Sequence, residues 1–186
     1  MEYYIEIIKK RLSLKRYEHS LGVAETASEL AIINGADPQK AYLTGVLHDY
    51  AKEMDDSQLL AMAKDYNIPL NEVEIAQPQL LHGIVGACLV KTELGIDDGE
   101  ILDAIRYHTT GCSNMTMLTK IIYIADYIEP NRDFPGVELL RKVSYENLDK
   151  GVLDGLNHSI RYILDKNLPI HNLSIEARNQ LISGSY

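Results

Sequence analysis

Four histidines and two aspartates are the side chains best suited to chemistry in this sequence: His19, the adjacent pair His48-Asp49, His82, His108 and Asp126. Imidazole and carboxylate are the groups that hold a borderline divalent cation. Their surroundings otherwise read as packed apolar helix, with Asp126 in the middle of IIYIADYI. An ionised carboxylate buried there alone costs on the order of several kcal/mol, so it needs a cation or strong donors. Neighbouring positions on a helix point about 100° apart. His48 and Asp49 therefore reach one ion only if it sits in the wedge between their helix and another. His19 and Asp126 are the ligands expected from those other elements, and the chemistry such a centre suits is hydrolysis.

The remaining polar residues weigh differently. Arg16 and Arg132 carry the planar fork that grips phosphate oxygens. Lys52 lies four residues after His48, which puts it on the same helical face and within reach of a phosphate or a surface acid. Tyr107, Tyr123 and Tyr127 read as core residues with a hydroxyl partner. Taken alone, His158 and His171 read as ordinary core or surface histidines.

Helical periodicity dominates the elements that must position these groups. A helix is expected over Arg16 to Asn34, with Tyr17, Leu21, Ala24 and Ala31 on one stripe and Val23, Ala27 and Leu30 on the next. Two stripes imply cover on more than one side, and Gly35 supplies the stop. Asp37-Pro38 caps and opens the helix that leads to His48-Asp49. Further helices are expected from Asp56 to Tyr66, Leu81 to Leu94 with Gly95 as stop, Asp98 to His108, and Met117 to Glu129 before Pro130. NRDFPG is turn chemistry. Ser144 is expected to cap a long helix to about Lys166, lined inward by Leu148, Val152, Leu156, Ile160 and Ile163, and Ser174 to cap a short final one.

At 186 residues the chain is long enough for one sizeable core and short for two. Its net charge of −9 argues against polymeric nucleic acid as a partner. A local cationic pocket for a small phosphate ester remains compatible with it. Cys88 and Cys112 form no CxxC or Cys/His spacing, and Cys88 reads as a small buried thiol. MEYYIEIIKKRL is amphipathic and acidic at its start, unlike a signal peptide. No apolar run approaches the ~20 residues of a membrane span. A soluble, cytoplasmic protein with no membrane partner is expected.

The array of His19, His48-Asp49 and Asp126 resembles the HD superfamily of metal-dependent phosphohydrolases, an all-helical fold named for the pair. More narrowly, RYEHSLGVAETA, LHDYAKE, LLHGIVGA, IRYHTTG and above all IADYIEPNRDFPGV resemble the YqeK family of symmetrical diadenosine tetraphosphate hydrolases. The likeness covers nearly the whole chain. It implies an all-α HD-domain helical bundle over 1–186, with a core of about 16–130 and C-terminal helices of about 144–184 completing a nucleotide pocket. His19, His48, Asp49 and Asp126 match metal ligands, with ferrous iron as the ion expected and Mn2+, Co2+ or Mg2+ as alternatives. Arg16, His82, His108 and Arg132 match phosphate-facing positions, which with His19, Lys52 and Asp126 make the nucleotide site. Pro169, Ile170, His171, Asn172, Leu173 and Ser174 resemble the segment that cradles the nucleoside.

The resemblance implies cleavage of a dinucleoside tetraphosphate into two nucleoside diphosphates. Asp49 or Asp126 would take the proton of the attacking water, while His82 and His108 join the arginines in offsetting charge on the departing diphosphate. Whether His82 and His108 instead hold a second ion is open at this level, as is a homodimer. A 5′-nucleotidase or deoxynucleotide triphosphohydrolase of the same superfamily is the alternative within hydrolases. A non-catalytic nucleotide sensor is the alternative outside them.

Overall fold

The computed structural model describes residues 1–184; the last two positions of the expected 1–186 domain lie outside the described residues. Among those described, the secondary structure is helical throughout, without a strand. The order is α1 (Glu2–Arg11), α2 (Leu14–Ile33), α3 (Pro38–Leu47), α4 (Asp56–Asp65), α5 (Glu72–Ala76), a 3-10 turn (Pro78–Leu81), α6 (His82–Leu94), α7 (Gly99–Tyr107), α8 (Met117–Ile128), α9 (Val137–Glu146), α10 (Leu148–Asp165) and α11 (Asn172–Ser183). None is long and apolar enough to cross a membrane.

Side-chain caps fix where most of these helices begin. Asp37 accepts from the backbone of Gln39 and Lys40 ahead of Pro38, and Asp98 accepts from Glu100 and Ile101. Thr116 opens α8 by accepting from Thr119, and α6 ends on Gly95 at φ 69°. The middle of the bundle is α2 packed on α3 and α8. Both stripes of α2 are inside: Val23, Ala24, Ala27, Leu30 and Ala31 are fully buried. A side chain on Gly45 would meet the Cα of Ala24 at 2.6 Å, so α2 and α3 touch backbone to backbone there. The same device recurs at Gly83, where an added Cβ would stand 2.7 Å from the carbonyl oxygen of Arg106 and hold α6 against α7. Each contact lies within three residues of a histidine of the cluster.

Several local expectations need correction. Helix α3 closes at Leu47, so His48 is its C-cap and Asp49 lies in the turns that follow, through Glu53. Consequently Lys52 is not one helical turn above His48; its N–H donates to the carbonyl of Asp49 in a tight turn. Ser144 does not cap α10, because its hydroxyl donates to Leu140 O inside α9, and the extended Asn147 is the cap. Ser174 is likewise interior to α11, whose N-cap is His171 accepting from Leu173 N at 3.2 Å. Cys88 is also only half-buried.

Candidate metal centre

Three of the four cluster histidines are oriented by the way their helices begin or end. His48 Nδ1 lies 2.7 Å from Gly45 O, and His108 Nδ1 lies 2.7 Å from Ile105 O. His82 Nδ1 stands 2.5 Å from Gln79 O. In each case the partner is the carbonyl three residues back, at the last turn of α3, of α7 or of the 3-10 segment. A carbonyl only accepts, so Nδ1 carries the hydrogen and Nε2 presents a lone pair. His19, inside α2, reaches the same state differently: its Nδ1 is 3.1 Å from the carboxylate of Glu129.

The four Nε2 atoms converge on two carboxylates. Asp126 Oδ1 is 3.0 Å from His19 Nε2 and 4.0 Å from His48 Nε2. Asp49 Oδ2 is 3.3 Å from His48 Nε2 and 3.7 Å from His19 Nε2. Its other oxygen faces His82 Nε2 at 3.3 Å and His108 Nε2 at 3.5 Å. Two triads have ligand atoms close enough for one ion each: His19, His48 and Asp126, and His48, Asp49 and His108. Among the described residues, His19 Nε2 and His48 Nε2 are buried with no hydrogen-bond partner. Orphaned imidazole nitrogens beside the buried Asp49 and the half-buried Asp126 are the donor set a divalent cation takes, so the residues fit a metal. The likeness to known proteins follows the same residues. Residues 16–131 match the HD domain family.

This chain belongs to the HD family.

Within that family, the chain is 42% identical to the symmetrical bis(5′-nucleosyl)-tetraphosphatase of Halalkalibacterium halodurans, over 96% of this chain and 95% of the relative. The enzyme of the same description from Bacillus subtilis is 41% identical over the same shares. A crystal structure described as a predicted HD superfamily hydrolase involved in NAD metabolism, from Clostridium acetobutylicum, superposes with a TM-score of 0.96 at 43% identity, covering 98% of this chain and 97% of that one. At such identity and coverage the HD-family chain falls in the symmetrical tetraphosphatase branch.

The outer residues of this HD site divide into two groups. Arg16 donates to Asp49 Oδ2 at 2.8 Å, and Arg132 holds Asp126 twice, at the carbonyl oxygen (2.7 Å) and at Oδ1 (2.5 Å). Both arginines line a cavity of about 600 Å³ that also reaches His19 and Phe134. The segment expected to cradle a nucleoside lies elsewhere. His171 and Leu173 line a separate cavity of about 190 Å³ with Tyr107, Thr110 and Arg106. Pro169 O accepts from Gln77 at 2.8 Å, and Asn71 meets His171 Nε2 at 3.1 Å, which ties the segment to both ends of α5. Ser174 is buried, Ile170 half-buried and Asn172 exposed. His158 packs its ring on Phe134 and lies outside the cluster. Tyr123 is wholly buried, but its hydroxyl finds no partner among the described residues, against the expectation of one.

Electrostatics separate the roles further. Burial opposes ionisation of Asp49, yet His48, His108 and His82 hold its carboxyl well below the usual range. Asp126 is also held low against its burial, by His19, Arg132 and His48. Dehydration pulls His82 down to about 4, whereas Asp126 and Glu129 outweigh burial at His19 and push it up. Burial lowers Lys52, with the attraction of Asp49 working against that shift. Glu129 is a site residue that sequence reasoning misses. It is 1% exposed, accepts from Asn131 N at 2.8 Å through its second oxygen, and fills space left by Gly22, where a Cβ would lie 2.6 Å from that oxygen. Its position in IEPN, beside a helix-ending proline, is the one local signal it carries.

Proposed function

We propose that this chain hydrolyses diadenosine tetraphosphate into two molecules of ADP. What carries the reading is the convergence of buried Nε2 lone pairs on Asp49 and Asp126 in a chain that aligns end to end with symmetrical tetraphosphatases. His19, His48, Asp49 and Asp126 would hold one divalent cation. When bound, it supplies Lewis acidity to a phosphoryl oxygen and makes water a stronger acid. The mixed nitrogen and oxygen set suits ferrous iron, with Mn2+ or Co2+ next. We also read the chain as one HD unit whose α9 and α10 close against α8, with α11 packed on α10. Two half-buried free thiols are those of a reducing compartment, which favours the cytoplasm.

The protein groups then divide the work. Arg16 and Arg132 are each fixed by a carboxylate and keep further N–H groups for phosphate oxygens. Lys52 adds a third cation near Asp49 and Asp126. Asp49 or Asp126 accepts a proton from the attacking water. The water oxygen bonds to the phosphorus second from one nucleoside, and the bridging oxygen leaves with the other ADP. In heavy-oxygen water one ADP of each pair should carry the label on its terminal phosphate, read by mass spectrometry beside the metal content of anaerobically purified protein. AMP and ATP as products would sink the symmetrical reading and leave the metal centre standing.

For His82 and His108 a second reading has its own observation. Both Nδ1 atoms are committed to backbone, Thr109 Oγ1 approaches both Nε2 atoms at 3.2 and 3.1 Å, and the two Nε2 atoms lie 3.0 Å apart. Donation to phosphate then requires a doubly protonated ring, while a neutral ring offers its lone pair to a cation. Both Nε2 atoms face the same Asp49 oxygen, at 3.3 and 3.5 Å, so these are the groups a second ion beside Asp49 would take.

A further inference from the structure

A substrate with two identical ends that is cut at its middle needs a place for a nucleoside on each side of the reacting phosphorus. Two cavities border the segments that carry the HD cluster, and their linings differ. His171 and Leu173 line the smaller one, beside Tyr107 and Thr110, which flank His108 and Thr109 in the chain. The larger one, of about 600 Å³, opens on His19 and contains none of the 169–174 segment.

Its walls match the three parts of a nucleoside diphosphate. Lys15, Arg16 and Arg132 supply positive charge next to the His19 imidazole. Glu18 and Asp133 are exposed carboxylates, the acceptors a ribose diol requires. Phe134 is half-buried on the turn after α8, and its ring is not left to swing. His158 covers it at 4.7 Å between centroids with a 30° tilt, and Tyr127 meets it edge-on at 6.2 Å. An aromatic ring braced in this way and bordering the cavity is a stacking platform for a base.

We propose that the cavity bounded by Arg16, Arg132 and Phe134 seats the second nucleoside diphosphate arm of the substrate, distinct from the arm assigned to residues 169–174. The assignment rests on the tetraphosphatase reading above, and it makes the enzyme selective for substrates with a nucleoside at both ends. Adenosine tetraphosphate is the natural comparator, since it presents the same four phosphates with one nucleoside and would be split by water into ADP and pyrophosphate.

The experiment uses the metal-loaded full chain and compares kcat/KM for diadenosine tetraphosphate and adenosine tetraphosphate in wild type, Phe134→Ala and Phe134→Tyr. Loss of a stacking ring should lower the dinucleotide value by roughly ten- to a hundredfold, mainly through KM. The preference over adenosine tetraphosphate should collapse, and Phe134→Tyr should restore it. A parallel fall for both substrates would mark Phe134 as a structural brace and overturn the subsite, as would an unchanged preference. Calorimetric titration with ADP gives the independent arm: two ADP per chain are expected in wild type and one in Phe134→Ala. If wild type makes no ADP from the dinucleotide, the tetraphosphatase reading fails. The subsite then stands on a stoichiometry of two and falls on a stoichiometry of one.

Discussion

His19 and His48 face two carboxylates, whereas His82 and His108 face one, and each other. Both pairs sit where helices are drawn unusually close, α2 to α3 at Gly45 and α6 to α7 at Gly83, and both share Asp49. Yet the first pair adds Asp126, with Glu129 behind His19, while the second has only backbone carbonyls, Thr109 and one oxygen of Asp49. The difference shows that burial, which opposes positive charge in both halves, is outweighed in only one of them. At His19 the added carboxylates of Asp126 and Glu129 outweigh burial and raise its pKa. With a single shared carboxylate oxygen, burial strips charge from His82 and leaves a lone pair.

The sharpest break in that comparison comes from the first pair. His48→Ala or Asp126→Ala should reduce hydrolysis to background and remove bound metal together, because each deletes a group of the first triad. Metal analysis beside a turnover assay checks this, and full metal with near-normal turnover would refute the assignment. Next in size are His82→Ala and His108→Ala, which should both lose most turnover. If the pair binds phosphate, metal stoichiometry stays at the wild-type value; if it shares a second ion with Asp49, one ion per chain disappears.

Smaller effects refine the contrast. Glu129→Gln keeps the shape but weakens the acceptor that fixes His19, so metal affinity should fall about ten- to a hundredfold by competition with a chelating dye. Unchanged affinity would reduce Glu129 to packing. Gly45→Ala forces a methyl into the backbone of Ala24 and should cost about 1–3 kcal/mol of stability. Urea denaturation of the metal-free protein isolates that cost from any effect on the ion.

The cluster's chemistry is visible in the sequence because imidazoles and a carboxylate are too costly to bury in apolar helices unless a cation or strong donors meet them. Most helix starts are legible too, since Asp37, Asp98 and the residues after them carry capping chemistry in their own side chains. What stays hidden is relational. Nothing local marks Glu129 as the partner of a histidine 110 residues earlier. Helix α9 escapes a sequence reading because Ser144 has capping chemistry yet spends its hydroxyl inside the helix, while Asn147 makes the break. The HD pair reads as helical because αR turns continue past Leu47 without a proline or glycine to mark the end. Nor can spacing reveal that the arginines and the 169–174 segment line different cavities.

The back-bonded histidines at the ends of α3 and α7 join two events that are usually separate. Each imidazole keeps its Nε2 aimed inward only while the last turn of its helix stays wound, since that turn supplies the carbonyl that holds Nδ1. Fraying of either end and release of an ion are then one opening. Whatever binds the closed form slows that opening in proportion to its occupancy. Amide hydrogens from Leu47 to Lys52 and from Tyr107 to Gly111 should therefore exchange with solvent at a rate set by free metal concentration, making these two short stretches a built-in gauge of how full the centre is.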